Sequence, residues 1–312
     1  DNWAIKGTAL AKKEFGNHII TSSVEHAAVL NSVRALEDLG FRVTVLPVDK
    51  NGQVNPDDLK AALDKETILV SIMGVNNEIG TIQPIREISK VLEDYPNVTF
   101  HVDNVQALGK DIWDEVFTDR VDLMSLSAHK FHAPRGVGIL YKKEGKMIKP
   151  LIDGGGQEKG LRSSTENLPA IAATAKAMRL YLSDEKKNAE KELAVKKKII
   201  SYLDGKPGIH IFSPINDKFI PSILCFSLEG IRGETLVHTL ESKDIYVSTT
   251  SACSSRSGVE SGTLNAMKVE DDLATGAIRL SFDPSNTIEE AEQFISVFDK
   301  IYKHFAEINH LK

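Results

Sequence analysis

Between residues 17 and 141, short apolar runs alternate with stretches of helical periodicity, a pattern that few folds accommodate. Residues 17–23, 41–46, 67–75, 98–102 and 121–124 have strand length, and the run at 67–75 is apolar enough for a strand covered on both faces. Between the strands, residues 27–39 repeat apolar side chains at Val29, Leu30, Val33, Leu36 and Leu39 and stop at Gly40, a C-cap glycine. Residues 56–63 follow Asn55, a good N-cap, and residues 84–92 begin at Pro84, suited to a first helical turn. Strands joined through helices predict βα units and a mainly parallel sheet, so the fold class is α/β.

The rest of the chain extends this frame. Residues 1–15 read as a helix, 136–141 as a further strand, and 168–203 as one long helical tract. The mixed charge run from Asp184 to Lys191 marks a solvated helix face rather than a basic recognition patch. The domain change falls near it, giving a large domain at 1–186 and a small C-terminal domain at 187–312. In the second part, residues 221–228, 245–248 and 277–282 read as strands and 233–242 as a helix. The last helix opens with the capping box Thr287-Ile288-Glu289-Glu290. A net charge of −6 gives no reason to expect a nucleic-acid partner, and no apolar run approaches the ~18 residues of a membrane span. Two cysteines in 312 residues argue against a disulfide framework and for a reducing, cytoplasmic setting; no secretory signal is visible.

Two strand ends carry chemistry. The strand at 121–124 runs into Ser125-Leu126-Ser127-Ala128-His129-Lys130, and the one at 98–102 into Asp103-Asn104-Val105-Gln106. In an open α/β sheet, ligands bind at the carboxyl ends of strands. A lysine there loses its proton readily when desolvated and can form a Schiff base. Lysine on one strand end and aspartate on the other is the pair that pyridoxal phosphate requires: an amine for the aldehyde and a carboxylate for the pyridinium nitrogen.

With these residues the sequence resembles the class V branch of fold-type I pyridoxal phosphate enzymes, and within it the NifS/IscS-like cysteine desulfurases. The resemblance rests on Glu25-His26-Ala27-Ala28, Val75-Asn76-Asn77-Glu78, His101-Val102-Asp103 with Gln106, Ser127-Ala128-His129-Lys130, Arg162-Ser163-Ser164-Thr165, Ser251-Ala252-Cys253-Ser254 and Ile278-Arg279-Leu280-Ser281. It implies a large domain around a mainly parallel sheet of the seven-stranded type, flanked by helices, and a smaller α+β C-terminal domain. It also implies that Lys130 holds the cofactor and takes the substrate Cα proton, that Asp103 pairs with the ring nitrogen, and that Gln106 donates to the phenolic oxygen. His26 stacks on the ring; Ser127 and His129, expected to share one face of a strand end, donate to the phosphate. Thr165 reaches the phosphate of the other subunit, which implies a homodimer. Asn77 and Arg279 hold the carboxylate of L-cysteine. Cys253, set among small polar residues, takes the sulfur as a persulfide and passes it to an acceptor protein for iron–sulfur assembly, tRNA thiolation or cofactor synthesis. Cys225, inside an apolar run, reads as core packing.

The chain opens at Asp1, whereas in the resembled family a similar stretch follows a Gly/Thr-rich turn that cradles the cofactor phosphate; that turn and the start of the large domain are absent from this sequence. Phe282-Asp283-Pro284 replaces a Leu-Gly pair common in the family, and Arg256 follows Cys253 closely. Two other readings stay open: another class V enzyme, such as an aminotransferase or a selenocysteine lyase, and a catalytically silent interaction protein on the same scaffold.

Overall fold

The computed structural model describes residues 1–250 and 262–308. They form two compact units, one of residues 1–49, 53–76 and 83–185, the other of residues 50–52, 77–82 and 186–312.

The first unit opens with a helical stretch, a wide turn at Trp3–Gly7 continuing into α1 (Thr8–Lys12). Its sheet comprises β1 (His18–Ser22), β2 (Arg42–Leu46), β3 (Thr67–Met73), β4 (Thr99–Asp103), β5 (Leu123–Ser127) and β6 (Gly138–Lys142) in the order β2-β1-β3-β4-β5-β6. Strands β1 to β5 are parallel and β6 is antiparallel to β5. Six strands are thus present among the described residues, against the seven expected. Every residue of β1, β3 and β4 is buried, as a sheet covered on both faces requires.

The helices are α2 (Ala27–Glu37), α3 (Pro56–Ala62), α4 (Ile85–Glu93), the short α5 (Trp113–Val116) and α6 (Leu168–Ser183). α2 buries Val29, Val33 and Leu36 against Ile5, Ile19 and Ile68, and Gly40 ends it at φ +86°, a conformation glycine adopts without strain. The Asn55 side chain caps α3 by accepting from the Asp57 N–H at 3.0 Å.

One glycine sets the strand tips. A Cβ on Gly74, directly after β3, would stand 1.9 Å from Asn104 Oδ1, so the chains beyond β3 and β4 approach closely only because the residue is glycine.

The second unit begins on α7 (Glu185–Leu203) and holds a four-stranded antiparallel sheet. Its strands β7 (Ile209–Ile211), β8 (Ile223–Leu228), β9 (Ser248–Thr249) and β10 (Ala277–Ser281) run in the order β7-β8-β10-β9. With them come α8 (Gly233–Glu241), α9 (Gly262–Ala266), α10 (Asp271–Thr275) and α11 (Ile288–Ile308). Phe226 of β8 and Phe294 and Phe298 of α11 anchor its core together with Leu236 and Leu240 of α8. The capping box is formed: Glu290 Oε2 accepts from the Thr287 N–H at 3.0 Å, and Thr287 Oγ1 from the Glu290 N–H at 3.3 Å.

Two expectations need correction here. The tract at 168–203 is not one helix; it breaks at Asp184 (φ −125°, ψ 21°), with apolar periodicity continuing on either side. The strand expected at 245–248 is reduced to Ser248–Thr249, the residues that find a partner in β10.

Candidate active site

The carboxyl ends of β1, β3, β4 and β5 share one edge of the first sheet, and strand order reverses between β1 and β3. That edge is where an open α/β sheet presents a ligand site.

Asp103 is the last residue of β4, opposite Met73 of β3 and Ser125 of β5. Alternation puts it on the same face as His101, whose ring bridges Ser71 (2.8 Å) and Ser125 (2.9 Å). Asp103 is buried, and its Oδ1 accepts from the Val105 N–H at 3.0 Å. Burial pushes its carboxyl up, while the Val105 N–H and the Lys130 ammonium pull it back down. Gln106 lies half-buried in the turn that follows.

Lys130 follows β5 by three residues and is exposed. β5 runs on to Ser127, held by pairing with Gly138 of β6, and the chain then makes a single tight helical turn at Ala128–Phe131, closed by His132 in the left-handed region (φ 65°). Ser127 therefore ends the strand, but His129 belongs to the turn and is exposed, so the expectation that the two share one strand face does not hold. The strand end was misjudged because its length is set by a partner strand across the sheet.

His26 caps α2: its Nδ1 accepts from the Ala28 N–H at 3.2 Å, which leaves Nε2 to carry the proton of the neutral ring. Burial lowers its pKa, and Lys130 lowers it further. His129 is lowered by burial, then by Lys130 and Arg135. The Lys130 cation thus reaches Asp103, His26 and His129 alike. Ser127 and Thr165 line one hollow of about 910 Å³ in the first unit, together with Ser125, Arg162 and Ser164; Thr165 sits on its exposed loop.

In the second unit, Arg279 of β10 donates from Nη1 to the Asn77 carbonyl at 2.8 Å. Its Nε is buried and meets no acceptor among the described residues. A half-satisfied, half-buried guanidinium can take a planar carboxylate in two bonds. Cys225, opposite Arg279 in the β8–β10 ladder, is fully buried, and burial pushes its thiol well up. Cys253 lies outside the described residues.

Glu25 is a site-edge residue that the motif reading passed over. It is buried at the end of β1, and its Oε1 accepts from the Ser22 hydroxyl at 2.5 Å and from the Met73 N–H at 2.9 Å. The spacing Ser22-x-x-Glu25 before an apolar helix was the available signal.

A lysine just past one strand tip and a buried carboxylate on the next form an arrangement that could hold an aldehyde cofactor by an amine and its ring by an anion. Asp103, buried with its Oδ1 accepting from the Val105 N–H, fits the ring-nitrogen partner of such a cofactor. The chain belongs to the aminotransferase class-V family, whose model matches residues 2–294. It is 72% identical over 311 residues to the NifS/IcsS protein homolog of Lactobacillus delbrueckii subsp. bulgaricus, covering 100% of this chain and 81% of that protein. It is 44% identical to the cysteine desulfurase IscS of Clostridium botulinum, covering 100% of this chain and 78% of that protein. Among solved structures it resembles a NifS-like protein with a TM-score of 0.88 at 39% identity, over 97% of this chain and 80% of that one. No helix among the described residues is long and apolar enough to cross a membrane, and none of their His, Cys, Asp and Glu side chains cluster to hold a metal.

Proposed function

We propose that this chain is a pyridoxal-phosphate-dependent cysteine desulfurase that converts L-cysteine to L-alanine and leaves the sulfur as a persulfide on Cys253. The observation that carries the reading is geometric: the buried Asp103 carboxyl ends β4 beside β5, and Lys130 stands three residues past the end of β5. Its desulfurase relatives, matched over the whole chain, support it.

The bound cofactor supplies an electron sink for the charge left when the substrate Cα loses its proton. Lys130 would be the cofactor's anchoring amine and the base that takes that proton. Asp103, ionised, would keep a positive charge on the ring nitrogen. Gln106 would serve the phenolic oxygen, Ser127 and His129 the phosphate, and His26, neutral through burial, the ring. Thr165 serves the phosphate site of the partner in a homodimer. Arg279 and Asn77 receive the substrate carboxylate. The Cys253 thiolate attacks the cysteine sulfur; the carbon–sulfur bond breaks, its electron pair stays on Cβ, and a proton on Cβ together with return of the proton to Cα completes alanine. The persulfide passes to an acceptor protein in the cytoplasm, for iron–sulfur assembly, tRNA thiolation or cofactor synthesis.

The test is product identity. Incubated with pyridoxal phosphate, L-cysteine and a thiol reductant, the protein is expected to release sulfide and alanine one for one, with no added keto acid. 3-Mercaptopyruvate formed only in the presence of a keto-acid amino acceptor would instead mark an aminotransferase. A preparation that takes up no cofactor and turns over no cysteine would favour the silent scaffold.

Asp103→Asn is expected to weaken both cofactor retention and turnover. Truncating one partner of a buried charge pair costs about 2–5 kcal/mol, roughly one and a half to three and a half decades in rate. Cofactor absorbance after dialysis and steady-state alanine release measure the two effects.

A further inference from the structure

The geometry points to Glu25 as a positioning residue that works as a neutral acid, clamping the tips of β1 and β3 together and leaving the negative charge of the site to Asp103. The inference rests on the proposed desulfurase reading, which requires an ionised Asp103.

Glu25 sits where strand order reverses. One oxygen, Oε1, ties the Ser22 hydroxyl at the end of β1 to the Met73 N–H at the end of β3. The next residue, His26, caps α2. The second oxygen, Oε2, is buried and has no hydrogen-bond partner among the described residues. An ionised carboxylate would leave that buried oxygen charged and unmatched, which is expensive. A protonated one leaves it uncharged, at the smaller cost of an unmatched neutral group.

The surroundings agree. Of the groups packed around Glu25, Asp103 of β4 is the charged one acting on it, and it repels a second anion. His26 beside it and His101 on β4 are both held below their ordinary values by burial and carry no charge near neutrality. Lys130 acts on Asp103. Burial first, then Asp103, push the Glu25 carboxyl from 4.5 to about 8, against the pull of Ser22 and Met73. Two neighbouring carboxyls thus divide their roles: Asp103 carries the charge and Glu25 the proton.

Glu25→Gln separates this from ordinary packing, because the amide is neutral at every pH and keeps the Oε1 acceptor. A carboxyl raised in the folded state stabilises below its unfolded pKa, and that contribution is lost as pH rises from about 4.5 to about 8. In the cofactor-free protein, the melting temperature of wild type is expected to fall away from that of Glu25→Gln across this window, with a constant gap above it. In cofactor titrations followed by absorbance, wild type is expected to lose affinity above about pH 8, whereas Glu25→Gln holds its affinity and Glu25→Ala is weak throughout. Parallel melting curves for wild type and Glu25→Gln, or a Glu25→Gln protein that fails to fold or to take up cofactor, would overturn the assignment. Failure of wild type to bind cofactor or release sulfide would defeat the desulfurase reading, and the melting curves would still decide the protonation state of Glu25.

Discussion

Lys130→Ala is expected to abolish alanine and sulfide release and to remove the visible absorbance of lysine-bound cofactor, while the protein stays folded. Lys130 stands on an exposed turn beyond β5 and supports no core, so its loss leaves the sheet intact. Removing a general base alone costs about 10²–10⁴-fold, and the anchoring amine goes with it. The variant carries a second signature that does not depend on turnover. The Lys130 cation lowers the pKa of His26, of His129 and of Asp103. With the cation gone, all three are expected to rise, and imidazole titration by NMR reads the two histidines directly. Turnover within about tenfold of wild type would remove Lys130 from the chemistry, and unmoved histidines would remove it from their neighbourhood.

Much of this site was legible in the sequence because its parts hang on strand ends. The apolar runs that became β1, β3, β4 and β5 are buried on both faces, and such runs announce themselves without help from distant residues. Asp103 ends β4 and Lys130 lies three residues past β5, so the strand leads to the residue. What failed was whatever a partner decides. β5 ends at Ser127, the last residue that β6 pairs, and this leaves His129 off the strand. β7 is three residues long with His210 in its middle, too short and too polar to stand out, and it exists because β8 accepts it. The break at Asp184 lies between two stretches of equally good helix formers. Glu25 was missed for a related reason. A glutamate just before a helix reads as a solvated first-turn charge, and only the β3 backbone, some fifty residues further along the chain, makes it a buried acceptor. The attachment of residues 50–52 and 77–82 to the second unit likewise depends on pairings such as Thr81 with Phe219, remote in sequence.

Cys253→Ser is expected to halt sulfur transfer and leave cofactor binding untouched. The chain has two cysteines, so the variant leaves Cys225 as its one thiol. Cys225 cannot take over: it is fully buried in β8, backed by Ile79, Phe219 and Leu264, and its pKa is raised by burial first and then by Glu78. A thiol is nucleophilic as its thiolate, and a buried, protonated one neither attacks nor is reached. Serine preserves the size of the side chain but not the soft, ionisable sulfur, and no oxygen analogue of the persulfide can form under these conditions. The groups proposed to hold the cofactor, Lys130 and Asp103, belong to the first unit and are not altered by the substitution. Sulfide release should therefore fall by at least ~10³-fold, in keeping with the loss of a covalent nucleophile. Persulfide labelling with a thiol-reactive probe should drop to background, while the cofactor absorbance keeps its intensity. An aminotransferase or a selenocysteine lyase on the same scaffold would not need this thiol, so undiminished turnover in the serine variant would transfer the chain to one of those activities.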